Sequence, residues 1–260
     1  MDPAPEFLNA AVLQSIAAML AERTLPALGL TTAFALAAWG MRAVSAGGAG
    51  AGLLLTFIIC LAAGPLAMLA VVSVFLLTFV ATRLGYRQKQ QIGVAERNGG
   101  REASQIFANL GAAALCAAPL AFYGNSTRAL LIGTVAALAE AAADTVSSEI
   151  GQAFGGRALL ITTLKPVPPG TNGGITMVGT LAGVIAACVV AAVSVWLGLL
   201  YSTYLAPVVV AATAGMIVDS LLGATVEKPG RLGNDSVNFG SSSFAALCAL
   251  GYWVLVQLGG

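Results

Sequence analysis

Histidine is absent from all 260 residues. That removes the commonest general base, imidazole metal ligands and any Ser-His or Cys-His nucleophilic pair. Charge is also scarce: 9% of residues are charged, against about 25% in an ordinary soluble domain, and the mean hydropathy is +0.89. A chain with so little polar surface is an integral membrane protein. Neither sign dominates, with 12 basic and 11 acidic residues. There is no basic tail, aromatic-basic patch or zinc-finger spacing, so a nucleic-acid partner is excluded. The four cysteines, Cys60, Cys116, Cys188 and Cys248, stand singly in apolar runs with no CxxC pair, which argues against disulfides and thiolate metal sites. Any chemistry must run on Asp, Glu, Lys, Arg, Asn and Ser/Thr, a repertoire suited to magnesium and phosphate rather than zinc.

Long apolar runs are what the sequence does have. After a short polar start, residues 7–20 are apolar but short for a crossing of about 20 residues, so residues 1–24 read as an interfacial or oblique N-terminal helix. Residues 25–44 form a candidate span ending near Arg42. The run from Leu53 to Val80 is too long for one crossing, and Gly64-Pro65 near its middle divides it in two. Further spans are expected at about 103–123, 128–150, 176–199, 204–224 and 239–258, with a tight turn at Gly124-Asn125-Ser126. Three polar loops, 83–102, 151–175 and 225–238, are each separated by two spans, so all three lie on one side. They hold five (Arg83, Arg87, Lys89, Arg97, Arg101), two (Arg157, Lys165) and two (Lys228, Arg231) basic residues, nine of the twelve. The positive-inside rule places that side in the cytoplasm. The expected fold is an all-α polytopic helical bundle of about eight transmembrane helices. Residues 25–260 would form a single transmembrane catalytic domain, with a possible internal repeat of helix hairpins.

Four polar constellations interrupt the apolar scaffold. Glu140, Asp144, Ser147, Ser148 and Gly151 share one helical face. A carboxylate in a bilayer costs about 2.5–3.5 kcal/mol on insertion scales, so these acids mark a candidate site. Asp144 could hold Mg²⁺ with Glu140 or Glu149 assisting, although Glu149 lies roughly opposite Glu140 around the helix; interhelical hydrogen bonding is the plainer reading. The stretch Lys165-Pro-Val-Pro-Pro-Gly170-Thr171-Asn172-Gly173-Gly174 leads into an apolar helix. Its glycines and the helix start could cradle an anion beside Lys165, or simply form a rigid turn. Arg101, Gln105 and Asn109 recur at i, i+4 and i+8, as a phosphate clamp with amide orienters would, or as a snorkelling arginine with its neighbours. Asp219-Ser220, late in its span, precedes Asn234-Asp235-Ser-Val-Asn238. Asp144 and Asp219 occupy equivalent places, each late in the second helix of a hairpin. Gly179 and Gly183 form GxxxG, the signature of close helix packing. Trp39, Trp196, Tyr201, Tyr204, Tyr252 and Trp253 read as interfacial anchors.

The segments REASQIFAN (101–109), ADTVSSEIG (143–151), LITTLKPVPPGTNGGIT (160–176), DSLLGAT (219–225) and NDSVNF (234–239) resemble the domain of unknown function 92 family. That family includes transmembrane protein 19 of animals and the phytyl-phosphate kinase of plant and cyanobacterial tocopherol synthesis. The resemblance spans roughly residues 45–258 and implies a helical membrane fold that moves a γ-phosphoryl group from a nucleoside triphosphate to a prenyl monophosphate. The acidic helix and glycine turn are also similar to those of CTP-using polyprenol kinases and phosphatidate cytidylyltransferases, which depend on Mg²⁺. By this resemblance Asp144 and Glu149 match the acidic motif, Lys165 and Gly170–Gly174 the glycine turn, and Asp219 and Asp235 the two late acidic positions. Glu102 and Leu110 depart from the family's pattern. The expectation is an Mg²⁺-dependent isoprenoid-phosphate kinase, CTP favoured, in a bacterial inner membrane. Asp144, Lys165 and Arg101 would be catalytic. Gly170–Gly174, Gln105, Asn109 and Asn234 would bind the nucleotide and phosphates, and Asp144, Glu149, Asp219, Asp235 and Glu140 the metal. Its partners would be the nucleotide, a prenyl monophosphate lipid and the bilayer, with a homo-oligomer allowed. A lipid-phosphate flippase and a cytidylyltransferase-like enzyme are the alternatives.

Overall fold

The computed structural model describes residues 10–95, 99–123, 128–227 and 232–259. The turn at 124–126, Arg97, Lys228, Arg231 and the polar start lie outside the described residues. Among the described residues ten α-helices follow one another: α1 (Ala10–Gly40), α2 (Ala46–Ala63), α3 (Ala67–Arg83), α4 (Tyr86–Gln91), α5 (Ala103–Ala117), α6 (Leu120–Tyr123), α7 (Arg128–Phe154), α8 (Met177–Trp196), α9 (Leu205–Leu222) and α10 (Asn234–Gly259). Six helical stretches are long and apolar enough to cross a membrane: α2, α5 continued by α6, α7, α8, α9 with its flanking turns, and α10. With the 17-residue apolar α3 and the 31-residue α1, the bundle has the size and class the apolar runs imply.

Local chemistry sets the boundaries. Ser45 caps α2 by accepting from Gly48 N at 3.0 Å, and α2 ends at Gly64, whose φ of 95° only glycine adopts easily. The break at Gly64-Pro65 thus falls where the sequence places it. The division expected after residue 24 does not: α1 is continuous from Ala10 to Gly40 with Pro26 inside it. Pro26 is exposed, as is Glu22, whose carbonyl loses its helical donor, so water or headgroups can satisfy that group. Arg23 Nη1 donates to the Ala62 carbonyl at 3.1 Å, fastening α1 to the end of α2.

The central post is α7. Its most apolar window is 83% buried, against 28–39% in the other five candidate spans. It packs on α3, α5, α8, α9 and α10. Alanine makes this possible: seven of the residues from Ala136 to Ala143 are Ala or Leu, and none of the eight is exposed. Small side chains let backbones approach closely, which drives association where the solvent is itself apolar. Gly179 and Gly183 on α8 meet this post. A Cβ at Gly179 would lie 2.5 Å from the Ser147 carbonyl, and one at Gly183 would lie 2.7 Å from the Ala143 carbonyl. The packing role of this GxxxG is therefore geometric fact. Gly183→Val is expected to destabilise the fold by about 1–3 kcal/mol or more, read as a lower thermal midpoint in detergent. An unchanged midpoint would mean that α8 can stand away from α7.

α7 runs on to Phe154, one turn beyond its expected end, and the loop after it is structured. Strands β1 (Ala158–Leu160), β2 (Pro166–Val167) and β3 (Gly174–Ile175) form an antiparallel sheet in the order β2-β1-β3, pairing Leu159 with Pro166 and with Ile175. α9 is prolonged by a π-helical turn, Gly223–Glu227. At the opposite end, the Arg128 guanidinium lies 4.1 Å over the Tyr201 ring. This joins the start of α7 to the α8–α9 turn and leaves the three polar loops together at the other end, as span parity requires.

Candidate active site

A cavity of about 410 Å³ opens among the ends of α5, α7 and α9, the start of α10 and the β1–β3 hairpin. Of the candidate residues, Arg101, Gln105, Asn109, Asp144, Glu149, Gly170–Gly174, Asp219 and Asn234 line it. Glu140, Lys165 and Asp235 do not. Two acids from separate helices meet at its floor. Asp144 of α7 lies within interaction distance of Asp219 of α9, and Arg101 and Glu227 act on Asp144 electrostatically. Asp219 Oδ2 accepts from Ser241 Oγ at 3.2 Å. The Asn238 amide, with its nitrogen turned to satisfy its neighbours, donates to Asp219 Oδ2 at 3.2 Å and to the Asn234 carbonyl at 3.1 Å. Asp219 is thus oriented by α10, and Asp144 meets it from α7 through a side-chain hydrogen bond between the two acids.

The glycine turn forms one wall. Gly170 and Gly173 have φ of 81° and 76°, the left-handed region that favours glycine. A Cβ at Gly173 would come within 2.5 Å of Ala224 Cβ and 2.7 Å of the Ser220 carbonyl, so the turn is pressed against the end of α9. Thr171 N and Gly174 N are consumed within the turn, donating to Pro168 O at 3.2 Å and Thr171 O at 2.8 Å. The N–H groups of Gly170, Asn172 and Gly173 carry no hydrogen bond among the described residues. Thr176 caps α8 by accepting from Gly179 N at 3.0 Å, which occupies part of the helix start that the sequence assigns to an anion.

Several assignments change. Lys165 is exposed between β1 and β2, its carbonyl accepting from Leu160 N at 2.9 Å; β1 lies between it and Gly174, and it does not line the cavity. Asp235 sits in the first turn of α10, one residue round from the face that Asn234 and Asn238 present to the cavity. Glu149 lines the cavity with its carboxylate already engaged on the side of α3 and α4. Its Oε2 is ion-paired with Lys89 Nζ, and its Oε1 accepts from Thr82 Oγ1 at 3.2 Å. Lys89, expected as a loop cation, is fully buried, and its ammonium also donates to Ala81 O at 3.2 Å and Thr82 O at 2.8 Å. Gln105 does line the cavity, but its Oε1 accepts from Glu102 N at 2.8 Å in a capping box with Glu102. The departure at Glu102 is therefore a helix-start device, and Leu110 is buried.

Glu140 lies one turn below Asp144, 1% exposed, with Ser241, Asp144 and Asp219 as neighbours. Its Oε1 has no hydrogen-bond partner. A buried acceptor left unmet costs about 1–3 kcal/mol, so Glu140→Gln, which adds donors without changing shape, is expected to raise the thermal midpoint of the purified protein. A fall of several degrees would show that the carboxylate itself is needed there.

Sequence reasoning missed Glu227. It lines the cavity from the π turn, with its Oε2 3.6 Å from where a Gly223 Cβ would stand. π turns concentrate at functional sites, but nothing in the local pattern announces one. Among the described residues no three acidic, Cys or His side chains form a complete metal cage. The fit to magnesium is instead partial and chemically apt. Asp144 and Asp219 are two hard carboxylates in contact, Glu140 adds an unmet oxygen a turn below, and an Mg²⁺ carried by nucleotide phosphates takes only one or two protein carboxylates.

Fold and site together define a polytopic helical membrane protein with an acid-floored polar cavity at one end of the bundle. The chain belongs to the family described as integral membrane protein DUF92, which matches residues 29–246. It is 35% identical over 204 residues to an uncharacterized membrane protein of Synechocystis sp., covering 77% of this chain and 79% of that one. It is also 35% identical over 214 residues to Protein VTE6, chloroplastic, of Arabidopsis thaliana, covering 80% of this chain and 64% of that protein. An uncharacterized membrane protein of Methanocaldococcus jannaschii is 35% identical over 175 residues, 66% of this chain and 69% of that one. No solved structure gives a significant match.

Proposed function

We propose that this protein is a membrane-embedded prenyl-phosphate kinase, transferring the γ-phosphoryl group of a nucleoside triphosphate, CTP favoured, to a phytyl-type isoprenoid monophosphate. The observation that carries this reading is the convergence of Asp144 and Asp219, from separate helices, in one cavity with Arg101 and the open amides of the 170–174 turn. Likeness to Protein VTE6 along most of both chains supports it. In this reading the cavity faces the cytoplasm of a bacterial inner membrane, where nucleotide is available.

Phosphoryl transfer asks a protein mainly to position reactants and to neutralise charge. An oxygen of the prenyl monophosphate attacks the γ-phosphorus. The new P–O bond forms as the bond from the γ-phosphorus to the β-phosphate oxygen breaks, and that oxygen leaves with the electron pair. The products are prenyl diphosphate and nucleoside diphosphate. A phosphate monoester has its second pKa near about 6, so the acceptor is already ionised at neutral pH and needs no imidazole base. Asp144 and Asp219 would hold Mg²⁺, which when bound supplies charge neutralisation to the nucleotide phosphates. Arg101 places a guanidinium where negative charge accumulates, and the Gly170, Asn172 and Gly173 N–H groups present fixed dipoles that need no reorganisation. Asn238 and Ser241 hold Asp219 in place.

Gathering of these groups at the loop end favours an enzyme over a flippase, which would need polar groups reachable from both faces. The test is to incubate purified protein with Mg²⁺, nucleoside triphosphates labelled at the γ-position, and phytyl monophosphate. Label in the lipid diphosphate is the expected result. Release of inorganic diphosphate with a nucleotidyl-lipid product would assign a cytidylyltransferase instead, and lipid movement in vesicles without chemical change would assign a flippase.

A further inference from the structure

A second cavity, of about 400 Å³, lies between α1, α2, α3 and α5. Its depth is apolar, with Phe34, Val71, Val74, Phe75 and Leu110 on its walls. Its rim carries three guanidinium groups, Arg42, Arg83 and Arg101, and no carboxylate lines it among the described residues. None of the three is in a salt bridge among the described residues.

The rim is built, not incidental. Arg42 and Arg101 are drawn together by a parallel backbone bridge, in which Ser45 N donates to Arg101 O and Arg101 N to Ala43 O, both at 3.0 Å. Glycine permits the approach, since a Cβ at Gly48 would stand 2.3 Å from Arg101 O and one at Gly100 would stand 2.7 Å from Val44 N. Arg42 itself has φ 56°, a conformation rare for a residue with a side chain. Arg83 is steered from the end of α3, with Nη2 donating to Met41 O at 3.4 Å and the guanidinium 5.0 Å over the Phe79 ring. A cationic collar above an apolar shaft has one complementary ligand class: an amphiphile with a single hydrocarbon tail and a dianionic phosphate head.

The two cavities share a wall, because Arg101 and Asn109 line both. We infer that the apolar cavity is the acceptor site of the reaction proposed above, on which this inference rests. The prenyl tail lies among α1, α2 and α3, its phosphate is held by Arg42 and Arg83, and Arg101 stands between that phosphate and the γ-phosphate of the nucleotide in the neighbouring cavity. Arg42 and Arg83 then determine acceptor affinity and leave the nucleotide untouched.

The test measures binding of phytyl monophosphate to the full-length protein in detergent without nucleotide, and CTP binding separately, for wild type and for Arg42→Gln/Arg83→Gln. The expected result is at least a tenfold rise in the Kd for phytyl monophosphate with the CTP Kd unchanged within twofold. Phytol should compete poorly and dioleoyl phosphatidate less well than phytyl monophosphate. Val74→Phe, which fills the shaft, should weaken lipid binding with the CTP Kd again serving as the check on folding. Equal loss of both ligands in the arginine variant, an unchanged lipid Kd, or phosphatidate competing as well as phytyl monophosphate would overturn the site. If lipid phosphate binds through these arginines but no diphosphate lipid forms, the kinase reading fails and the binding site stands. If diphosphate lipid forms with an unchanged KM for the acceptor in the arginine variant, the reverse holds.

Discussion

Asp144→Asn is expected to lower diphosphate-lipid formation by about 10²–10³-fold, the loss seen when a preorganised charge-stabilising group is removed from an active site. The substitution conserves shape at a position that faces the cavity from a largely buried helix, so it removes charge without opening a hole. It also leaves Asp219 with its Ser241 and Asn238 hydrogen bonds, so the second carboxylate stays positioned and the effect reports on Asp144 alone. The loss should lie in kcat more than in the KM for lipid, and the thermal midpoint should stay within a few degrees of wild type. Lys165→Gln and Asp235→Asn are the controls: both positions lie off the cavity, and turnover within about twofold of wild type is expected of each. If Asp144→Asn turns over normally, or if Lys165→Gln is as damaged, the placement of the chemistry is wrong.

The second large effect concerns stability. Among the described residues Lys89 is the bulkiest fully buried side chain, and its ammonium is met by Glu149 and the carbonyls of Ala81 and Thr82. Removing one partner of a buried ion pair strands the other and costs about 3–5 kcal/mol. Lys89→Met is therefore expected to lower the thermal midpoint by on the order of 10 °C. Replacing both charges, Lys89→Met with Glu149→Met, should recover most of the loss, since well-packed apolar pairs often match buried ion pairs in stability. A double variant as unstable as the single one would show that the carbonyl bonds from Lys89 to the end of α3, rather than its pairing with Glu149 of α7, hold α4 in place.

Much of this architecture was legible in the sequence, and the reasons differ by residue. Span length and the Gly64-Pro65 break follow from bilayer thickness and proline stereochemistry, which act locally. The shared face of Asp144 and Gly151 follows from helical periodicity, whereas Arg101, expected on a helix with Asn109, precedes α5 and is placed by its bridge to Val44. That Asp144 and Asp219 meet was suggested by their like positions in two hairpins. Periodicity gives a face, however, and never the neighbour that covers it. Glu149 therefore read as a ligand until Lys89 was found against it, and Gln105 read as a phosphate orienter although Glu102 three residues earlier makes a capping box. Lys165 was assigned by proximity along the chain to a turn from which strand pairing separates it. Arg42, in the turn after α1, and Arg83, at the end of α3, come from outside the polar motifs, and only the Val44–Arg101 bridge brings Arg42 to the site. Continuity of α1 is not legible because the apolar run before residue 20 is short for a crossing and the charged pair Glu22-Arg23 follows it, whereas in the structure Arg23 is tied to the Ala62 carbonyl and the helix runs on.

The alanine-lined post at the centre also limits how the molecule can work. Along its contact with α8, where Gly179 and Gly183 rest on the Ser147 and Ala143 carbonyls, α7 has little room to slide or rotate, so the height of Asp144 in the bundle is set at folding. In the proposed reaction, admission and release of nucleotide would therefore fall to the pieces resting on that stator, the strand hairpin and the π turn carrying Glu227. Rate-limiting steps should accordingly respond to changes in those two segments and be indifferent to the thickness of the surrounding lipid.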